Sequence, residues 1–582
     1  MTYLSDLPFR PDPFQLEAAE HIDAGRSVVV VAPTGAGKTL VAQHAVARAY
    51  RAGKRSFYTT PIKALSNQKF ADFRAEYDEN AVGLLTGDNV INGDAPIVVM
   101  TTEVLRNMIY AESPALDELA VVVLDEVHYL QNRYRGSVWE EIIVHLPRSI
   151  SIVSLSATIA NPDEFTSWVR SRRGDTGLVI ETHRPVPLES LYLVKDRFHE
   201  GVLEPLPVFR GSRPNPYVTQ LLQKGRGRQR RFTAPRRVEV AEVLDDEGLL
   251  PAIYFIFSRA GCDQAAEWVA NSRLQLTTAE ERAEIRQRVD FLTQHLPPHD
   301  LGALGYDGWL SRLERGVAAH HAGMVPAFKE AVENLFAAGL VKLVFATETL
   351  SLGINMPART VVLERLSKFN GDSHEVLQPG DYTQLTGRAG RRGIDTRGTA
   401  IVLHNFDIPF ERVAGIAAEG SHPLVSSFQP TYNMAANLIA NYEQKAAEEL
   451  LNASFAQFRA SERKSQLRGR LSQREEEVAQ FRRQAECDRG DIWAYLDQHG
   501  DAVLDHHAAM RDFVQRFRDG DVLRLSPSEE DRAILLARGW GANPRMVLLG
   551  TDGSVRRVSA DQLETSVAVI GQMFLPEPVR TK

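Results

Sequence analysis

A strand-like run of four valines, Val28 to Val31, leads directly into the segment A-P-T-G-A-G-K-T at residues 32–39. This junction constrains the fold most strongly, because a buried strand followed by a glycine-rich loop and a helix typically opens a parallel-sheet α/β domain. Gly35 and Gly37 let the loop turn its backbone N–H groups toward an anion, and Lys38 adds a positive charge. The segment therefore predicts a phosphate-binding loop, although its first residue is alanine where the strict motif has glycine.

A second motif, L-D-E-V-H at residues 124–128, ends another apolar run about ninety positions later. Asp125 can reach a magnesium ion that Thr39 also holds, and Glu126 can orient a water molecule. The two motifs together predict a site for ATP and Mg²⁺. The residues assigned to the nucleotide and its metal ion are Thr34, Gly35, Gly37, Lys38, Thr39 and Asp125.

Composition narrows the class of protein. The chain has 582 residues, enough for several domains, and a net charge of −8 from 67 basic and 75 acidic residues. If a protein of this charge binds nucleic acid, it must do so in a local groove. Cys262 and Cys487 lie far apart in sequence, which argues against a disulfide framework or a zinc site. No run approaches the ~18 apolar residues of a membrane span, and the N-terminus lacks a secretory signal, so we expect a cytoplasmic protein without a membrane partner.

Short apolar strands alternate with helix-like stretches from Phe9 to Val194, and the alternation restarts at Ala252. This pattern predicts two similar α/β domains with parallel sheets. Beyond Pro430 the chain becomes helical. The charged run Ala460 to Arg489 has apolar residues at roughly heptad intervals, and the stretch Val503 to Phe517 could pair with it as an antiparallel stalk.

Strand-like segments return after residue 519, and their Thr-Asp-Gly-Ser turn at 551–554 is a good hairpin signal. We expect a small β-barrel there. Two pairs of polar residues have less specific interpretations. Glu140 and Glu141 are expected on the polar face of a helix, and His320 and His321 are not expected to bind a metal, since no cysteine or carboxylate cluster completes a site.

Nine further motifs stand between and beyond the two phosphate motifs. They are T-T-P-I-K-A-L-S-N-Q-K-F (59–70), L-L-T-G-D (84–88), T-T-E-V-L-R (101–106), S-A-T (156–158), H-R-P-V-P-L (183–188), Y-F-I-F-S-R (254–259), A-H-H-A-G (319–323), F-A-T-E-T-L-S-L-G-I-N-M-P-A (345–358) and Q-L-T-G-R-A-G-R-R-G (384–393). The array resembles superfamily-2 DExH-box helicases, and closely the superkiller-type RNA helicases with their HelY relatives. The resemblance covers about residues 9–460 strongly and continues more weakly to the end.

The resemblance implies a domain order. Two tandem RecA-like domains would occupy residues 1–194, which bind ATP, and residues 195–420. A partial winged-helix region would follow at 421–459, then a helical stalk at 460–518. The small β-barrel at 519–582 would complete an arch-like arm.

The resemblance also implies roles for individual residues. Gln15 would read adenine, Lys38 would bind phosphate, Glu126 would position the attacking water, and Arg388 and Arg391 would act as arginine fingers. The residues implied in coupling nucleotide state to strand binding are His128, Ser156, Thr158 and Gln384. Those implied in gripping the backbone of one strand are Pro61, Lys63, Thr101, Thr102, Thr347 and Glu348. The segment Leu366 to Pro379 matches a strand-splitting hairpin, with Phe369 as its apolar wedge.

We therefore expect an ATP-dependent RNA helicase that translocates 3′ to 5′ on single-stranded or tailed RNA in RNA processing or decay. A nuclease or another RNA-processing protein would bind through the arch. A DNA helicase of repair and an ATP-gated RNA clamp or scaffold are the alternatives. The family continues with a helical domain that carries a ratchet helix, whereas this chain ends at Lys582. Either the chain is a fragment or this member lacks that helix, and we expect poor processive unwinding from it.

Overall fold

A computed structural model of the chain provides the structure. It describes residues 3–132, 135–196, 203–224, 231–351, 356–369, 374–420, 423–428, 432–441, 443–487, 490–491, 513–526, 531–539, 544–563 and 567–575. These residues fall into two compact units, Met1–Arg463 and Lys464–Lys582.

The first α/β domain is built around one sheet that contains both phosphate motifs. In the described part of the chain its strands are β1 (Ser27–Val31), β2 (Arg55–Thr60), β3 (Val82–Leu85), β4 (Val90–Ile91), β5 (Ile97–Thr101), β6 (Leu119–Leu124), β7 (Ser151–Ser156) and β8 (Thr176–Ile180). Its helices are α1 (Pro13–Asp23), α2 (Thr39–Arg51), α3 (Lys63–Glu76), α4 (Thr102–Tyr110), α5 (Ser137–His145) and α6 (Pro162–Arg173).

The order of strands in this sheet is β4-β3-β5-β2-β6-β7-β1-β8. All neighbouring strands run parallel except β3 and β4. Every residue of β1 and β5 is buried, as expected when helices cover both faces of a parallel sheet. The carboxyl ends of β1, β6 and β7 therefore meet at one edge, and the loops that follow them carry the predicted site.

The second α/β domain repeats this plan. Its described strands are β9 (Leu188–Asp196), β10 (Leu203–Pro207), β11 (Phe209–Arg210), β12 (Arg213–Pro214), β13 (Phe232–Thr233), β14 (Ala252–Phe255), β15 (Val317–His320), β16 (Leu343–Ala346), β17 (Thr360–Leu363), β18 (Ser367–Phe369), β19 (His374–Val376) and β20 (Gly398–Leu403). Its helices are α7 (Pro216–Lys224), α8 (Arg237–Asp246), α9 (Arg259–Ala270), α10 (Ala279–Thr293), α11 (Pro298–Ala303), α12 (Tyr306–Glu314), α13 (Pro326–Ala337), α14 (Pro379–Thr386) and α15 (Phe410–Ala418).

The main sheet of this domain has the order β10-β9-β20-β17-β14-β16-β15. Six strands that are consecutive in this sheet, β9, β20, β17, β14, β16 and β15, run parallel to one another. The predicted α/β class with two parallel-sheet domains is confirmed. The predicted boundary after residue 194 is too late, because β9 already pairs with β20 of the second sheet. The change of sheet falls between residues 180 and 188. The sequence pattern missed it because β9 continues the apolar alternation of the first domain without a break.

The hairpin predicted at 366–379 is present as the antiparallel pair β18 and β19. The side chain of Phe369, the predicted wedge, lies outside the described residues.

The chain returns to the first domain after the second sheet. The segment 423–428, which we call the anchor segment, is followed by α16 (Tyr432–Asn441), α17 (Gln444–Leu451) and α18 (Phe455–Ala485). Phe455 packs against Phe165 and Trp168 of α6, and the Trp168 indole N–H donates to the carbonyl of Ala453 at 2.8 Å. A winged-helix identity for this region stays a prediction.

Glu140 and Glu141 do not form the polar face of a helix, which corrects the sequence expectation. Both are buried, with 0% and 3% of their surface exposed. Glu140 accepts hydrogen bonds from the Ser426 hydroxyl and from the backbone N–H of Phe455. The anchor segment and the start of α18 therefore pack against α5. Local periodicity could not reveal this burial, because the contacting residues lie 286 and 315 positions further along the chain.

The second unit contains the small strands β21 (Glu486–Cys487) and β22 (Gly490–Asp491) and a separate antiparallel sheet. The sheet strands are β23 (Asp521–Arg524), β24 (Arg532–Arg538), β25 (Arg545–Gly550), β26 (Val555–Ser559) and β27 (Ala568–Gln572), in the order β26-β25-β24-β23-β27. The turn predicted at 551–554 joins β25 to β26. The return helix predicted from Val503 lies mostly outside the described residues, so the stalk and the barrel remain predictions.

Candidate functional site

The loop of residues 32–39 lies at the carboxyl end of β1, directly before α2. Gly35 and Gly37 have φ angles of 82° and 93°, the left-handed region that glycine adopts without steric cost. The Lys38 ammonium donates to the carbonyl oxygens of Ala32 and Pro33 at 2.8 Å and 3.1 Å. The loop therefore turns at its two glycines, and the binding of phosphate by Lys38 stays a prediction.

Gln15 is buried against this loop. Its Nε2 donates to the Gly37 carbonyl at 2.9 Å, and its Oε1 accepts from the backbone N–H of Asp12 at 2.8 Å. A Cβ atom on Gly37 would lie 2.8 Å from the Gln15 Nε2, so a side chain at this position would displace the Gln15 amide. The structure thus brings Gln15 and the phosphate loop together, and the role of Gln15 in reading adenine stays a prediction.

The acidic motif at the end of β6 faces the same edge of the sheet. The Tyr58 hydroxyl donates to Asp125 Oδ2 at 2.7 Å, and the backbone N–H of Glu126 donates to Oδ1 at 2.9 Å. Glu126 has a φ of 53°, a left-handed conformation that costs a non-glycine residue about 1–2 kcal/mol. Such strain is concentrated at functional sites, where the surrounding structure maintains it.

The charges of the two motifs act on one another. Burial and the charge of Glu126 raise the pKa of Asp125, against the Tyr58 hydrogen bond and the positive charges of Lys69 and Lys38. Burial lowers the pKa of Lys38, against the charges of Glu126 and Asp125. The charges of Lys38, Asp125 and Glu126, which follow β1 and β6, therefore act on one another as one cluster.

His128 connects this unit to the end of β7. Burial lowers the pKa of His128 to about 4, so the ring is neutral near pH 7. Its Nδ1 accepts a hydrogen bond from the backbone N–H of Ala157 at 3.3 Å, which leaves the proton on Nε2. Ser156 lies within β7, and its carbonyl accepts from the N–H of Ala32 at 3.1 Å. The S-A-T segment therefore touches both phosphate motifs.

The second domain contributes the loop of residues 387–393, which we call the arginine loop. Arg388 is 9% exposed. Burial lowers its pKa, against the charge of Glu126, and Arg388 lines a cavity together with Thr34 and Gly35 of the first domain. Arg391 is instead held by Asp395 of its own domain, with Nε and Nη2 contacts of 2.8 Å and 2.9 Å. The two predicted arginine fingers therefore have different environments.

Two cavities lie between the domains. One of about 450 Å³ is lined by Thr34 and Gly35 of the first domain and by Arg388 and Arg391 of the second. Another of about 550 Å³ is lined by residues that include His128, Thr158 and Gln384. The cleft thus brings together the predicted nucleotide, arginine-finger and coupling residues.

The oxygen donors near Lys38 fit a magnesium ion. Thr39 begins α2 and offers a hydroxyl, and Asp125 offers a carboxylate, which are the ligand types that Mg²⁺ prefers. His320 and His321 are engaged elsewhere, with Glu333 at 2.8 Å and Asp263 at 3.0 Å. Across the described residues, no group of three or more His, Cys, Asp or Glu side chains is placed to hold a metal ion.

The predicted strand-gripping residues lie at strand ends in both domains. Pro61 and Lys63 follow β2, and Thr101 ends its neighbour β5. Lys63 is exposed and pairs with Asp88 at 2.8 Å, whereas Thr102 is fully buried. The Thr102 hydroxyl donates to the carbonyl of Thr60 at 2.9 Å, so in this structure it has no surface on which to meet a phosphate.

Thr347 and Glu348 follow β16 of the second sheet. The Thr347 hydroxyl lies 3.0 Å from the Thr349 hydroxyl, and Glu348 accepts from Lys368 of the hairpin at 3.1 Å. A carboxylate repels phosphate, so the Glu348 side chain would have to accept a hydrogen bond from the nucleic-acid strand, for example from a ribose hydroxyl group.

Sequence reasoning missed three residues of the cleft: Tyr58, Arg184 and Arg392. The Arg184 guanidinium donates to the carbonyls of Thr386, Gly387 and Ala389, which ties the interdomain linker to the arginine loop. Its position within the H-R-P motif was a signal, but its partners depend on the tertiary fold.

Two known protein families match parts of this chain. The DEAD/DEAH box helicase family matches residues 12–165, and the Helicase conserved C-terminal domain matches residues 303–393. The chain is 45% identical over 622 residues to the probable helicase HelY of Mycobacterium leprae, which covers 99% of this chain and 66% of that protein.

Two eukaryotic relatives also align with the chain. Identity is 40% to the chloroplastic DExH-box ATP-dependent RNA helicase DExH15 of Arabidopsis thaliana, over 75% of this chain and 40% of that protein. Identity is 34% to the antiviral helicase SKI2 of Saccharomyces cerevisiae, over 77% of this chain and 39% of that protein.

The chain spans 66% of the length of the M. leprae HelY and 52% of that of its Mycobacterium tuberculosis counterpart. None of the described helices combines the length and the apolar composition needed to cross a membrane. The order of motifs, the two parallel-sheet domains and the relatives agree on one assignment. The chain belongs to the superfamily-2 DExH-box helicases, in the superkiller-type branch that includes HelY.

Proposed function

We propose that this chain is the ATP-driven motor of an RNA helicase that moves 3′ to 5′ along single-stranded or tailed RNA in RNA processing or decay. One observation carries the proposal. Thr34 and Gly35 of the phosphate loop line one cavity together with Arg388 of the second domain, and the charges of Asp125, Glu126 and Arg388 act on Lys38. A nucleoside triphosphate bound at the phosphate loop would therefore have cations on both sides of its phosphates.

Each residue of the site has a chemical task in this proposal. Glu126 orients the attacking water, and Lys38 and Arg388 neutralise charge that develops on the phosphoryl group. Thr39 and Asp125 would hold Mg²⁺, which stabilises charge on the phosphate oxygens when bound. Because Arg388 belongs to the other domain, hydrolysis depends on closure of the cleft.

Closure would then act on a nucleic-acid strand. Lys63, which is exposed after β2, grips the strand from the first domain, and residues after β16 grip it from the second. A change in the distance between the two domains moves one grip relative to the other. His128 supports this coupling, because it lies beside Glu126 and also bonds the S-A-T segment.

RNA is favoured over DNA by the P-I-K-A-L-S-N-Q and H-R-P-V-P-L segments, which resemble the RNA-acting branch, and by the relatives named as RNA helicases. An RNA-specific site can use the 2′-hydroxyl, which DNA lacks. We also propose that residues 464–582 bind a nuclease or another RNA-processing partner.

Strand displacement on short tailed duplexes tests the proposal. We expect the chain with ATP to separate an RNA duplex with a 3′ single-stranded tail faster than one with a 5′ tail, and faster than the same sequence in DNA. A preference for the 5′ tail would overturn the direction. Equal or faster separation of DNA would favour a repair helicase, and ATP-dependent RNA retention without displacement would favour a clamp.

The arginines can be separated by mutation. Arg388→Ala is expected to lower RNA-stimulated ATP turnover by about 10³-fold, as for loss of an arginine finger. Arg391→Ala also removes one positive charge, but Asp395 already neutralises that charge in the wild type. It is expected to have the smaller effect, because Arg391 stays paired with Asp395 in this arrangement of the domains. RNA affinity without nucleotide is expected to remain near wild type in both variants.

A further inference from the structure

An ion pair joins the two α/β domains at the Gln15 end of the cleft. Arg392 follows Arg391 in the arginine loop, but its guanidinium reaches into the first domain. Its Nη2 lies 2.9 Å from Asp12 Oδ2 and 3.0 Å from Oδ1, and its Nη1 donates to the carbonyl of Ala36 at 3.0 Å. One side chain therefore contacts the start of α1 and the phosphate loop at the same time.

The two residues that Arg392 contacts, Asp12 and Ala36, lie beside the hydrogen bonds that hold the Gln15 side chain. Asp12 donates its backbone N–H to the Gln15 side chain, and Gly37, next to Ala36, accepts from that side chain. A Cβ atom on Gly37 would lie 3.4 Å from Arg392 Nη1 as well as 2.8 Å from Gln15 Nε2. Arg392 and Gln15 thus approach the same glycine from the two domains.

Two nearby arginines of the second domain, Arg391 and Arg397, pair within that domain. Arg391 pairs with Asp395, and Arg397 pairs with Glu189 at 3.1 Å, so both pairs stay within their own domain. The contacts of Arg392 join residues 356 and 380 positions apart. They can form only when the arginine loop lies against the phosphate loop.

We propose that Arg392 and Asp12 form a closure latch, in which Arg392 acts as a positioning residue that holds the domains together over the phosphate loop. Because the pair exists in the closed arrangement alone, its free energy enters the balance between the open and closed states directly. The side chains are 49% and 30% exposed. An exposed pair shifts an equilibrium by a factor of up to about five, which suits a contact that must break in every cycle.

The link between the latch and ATP turnover rests on the proposed function, whereas closure itself can be measured without hydrolysis. Fluorophores on the two domains would report closure, driven by a non-hydrolysable ATP analogue and single-stranded RNA. We expect Arg392→Ala to lower the closed-to-open ratio by about two- to fivefold. The same factor is expected in kcat/KM for ATP.

A double-mutant cycle identifies Asp12 as the partner. Asp12→Asn keeps a residue that can cap α1 but removes the charge. It is expected to reduce closure in the wild-type background and to have no further effect in the Arg392→Ala background. Arg392→Lys keeps the charge but loses the two-pronged geometry, so an intermediate value is expected. Arg397→Ala is the matched control, because its pair with Glu189 does not cross the cleft, and it is expected to close normally.

High salt supplies an independent readout. Raising the ionic strength should weaken closure of the wild type more than that of Arg392→Ala, because the variant has lost the screened pair. Normal closure by Arg392→Ala, or equal losses from Asp12→Asn in both backgrounds, would overturn the latch. Absence of RNA-stimulated hydrolysis in the wild type would overturn the proposed function, while the closure measurements would still decide the latch.

Discussion

At the scale of single residues, the site contains residues that a short motif identifies and contacts that depend on the tertiary fold. Lys38, Asp125 and Glu126 could be predicted because their spacing to a strand end is local. Tyr58 could not, because its contact with Asp125 depends on the parallel pairing of β2 with β6. In the same way, the sequence identified Arg388 and Arg391 as a pair, but the contact with Asp395 that distinguishes them forms in the folded loop.

Tyr58→Phe tests the contribution of that hidden hydrogen bond. The hydroxyl favours the charged form of Asp125, so its removal is expected to raise the pKa of Asp125 further. Protonation competes with Mg²⁺, and one hydrogen bond to a charged group contributes about 1.5–3 kcal/mol. We expect the Mg²⁺ concentration for half-maximal ATPase to rise by about tenfold, and more at pH 6 than at pH 8.

The control for this experiment is Tyr192→Phe. Tyr192 is also buried, but its hydroxyl contacts His404 of the second domain at 2.9 Å. An unchanged Mg²⁺ requirement in Tyr58→Phe, or an equal shift in Tyr192→Phe, would contradict the role assigned to the Tyr58 hydroxyl.

At the scale of elements, the helix α5 shows where local pattern fails. The indole N–H of its residue Trp139 donates to the carbonyl of Asp125 at 3.4 Å. The next residue, Glu140, accepts hydrogen bonds from the anchor segment and from the first residue of α18. Strands and helices were predictable because their apolar spacing is a local property. The cover over α5 was not, because it comes from Ser426 and Phe455, far along the chain.

Glu140→Gln tests this cover through the pH dependence of stability. Burial raises the pKa of Glu140 from 4.5 to about 7. Because the folded state holds its proton more tightly, this contribution to stability is fully present below pH 4.5 and is lost as the pH rises toward 7. The loss amounts to roughly 3 kcal/mol.

Glutamine is neutral at every pH and can still accept from the Phe455 N–H while it donates to the Ser426 hydroxyl. The expected result is a wild type whose thermal unfolding temperature falls relative to that of Glu140→Gln between pH 5 and pH 8. Parallel pH curves for the two proteins would show that the carboxyl group is not protonated in the folded state.

At the scale of the whole molecule, every motif of the proposed ATP site lies in the unit Met1–Arg463. The sequence predicted the order of the two α/β domains, because the motifs follow a known array. It placed their boundary late, because β9 has the same apolar pattern as the strands before it.

Removal of residues 464–582 tests the independence of the first unit. The truncated chain is expected to keep RNA-stimulated ATP turnover within about twofold of the full chain, because the proposed site makes its contacts within residues 1–463. Binding to a protein partner should be lost with the second unit. A folded truncated chain without basal ATPase would instead make the second unit part of the motor.

The central claim is that this cleft hydrolyses ATP when RNA is bound, with Glu126 orienting the water. The most direct measurement is the steady-state ATPase rate of the chain with and without single-stranded RNA, for the wild type and for Glu126→Gln. We expect RNA to stimulate the wild-type rate strongly. For Glu126→Gln we expect retained ATP binding and ATP-dependent RNA retention, with turnover reduced at least about 10²-fold. Near-normal turnover by Glu126→Gln, or a wild-type rate indifferent to RNA, would contradict the claim.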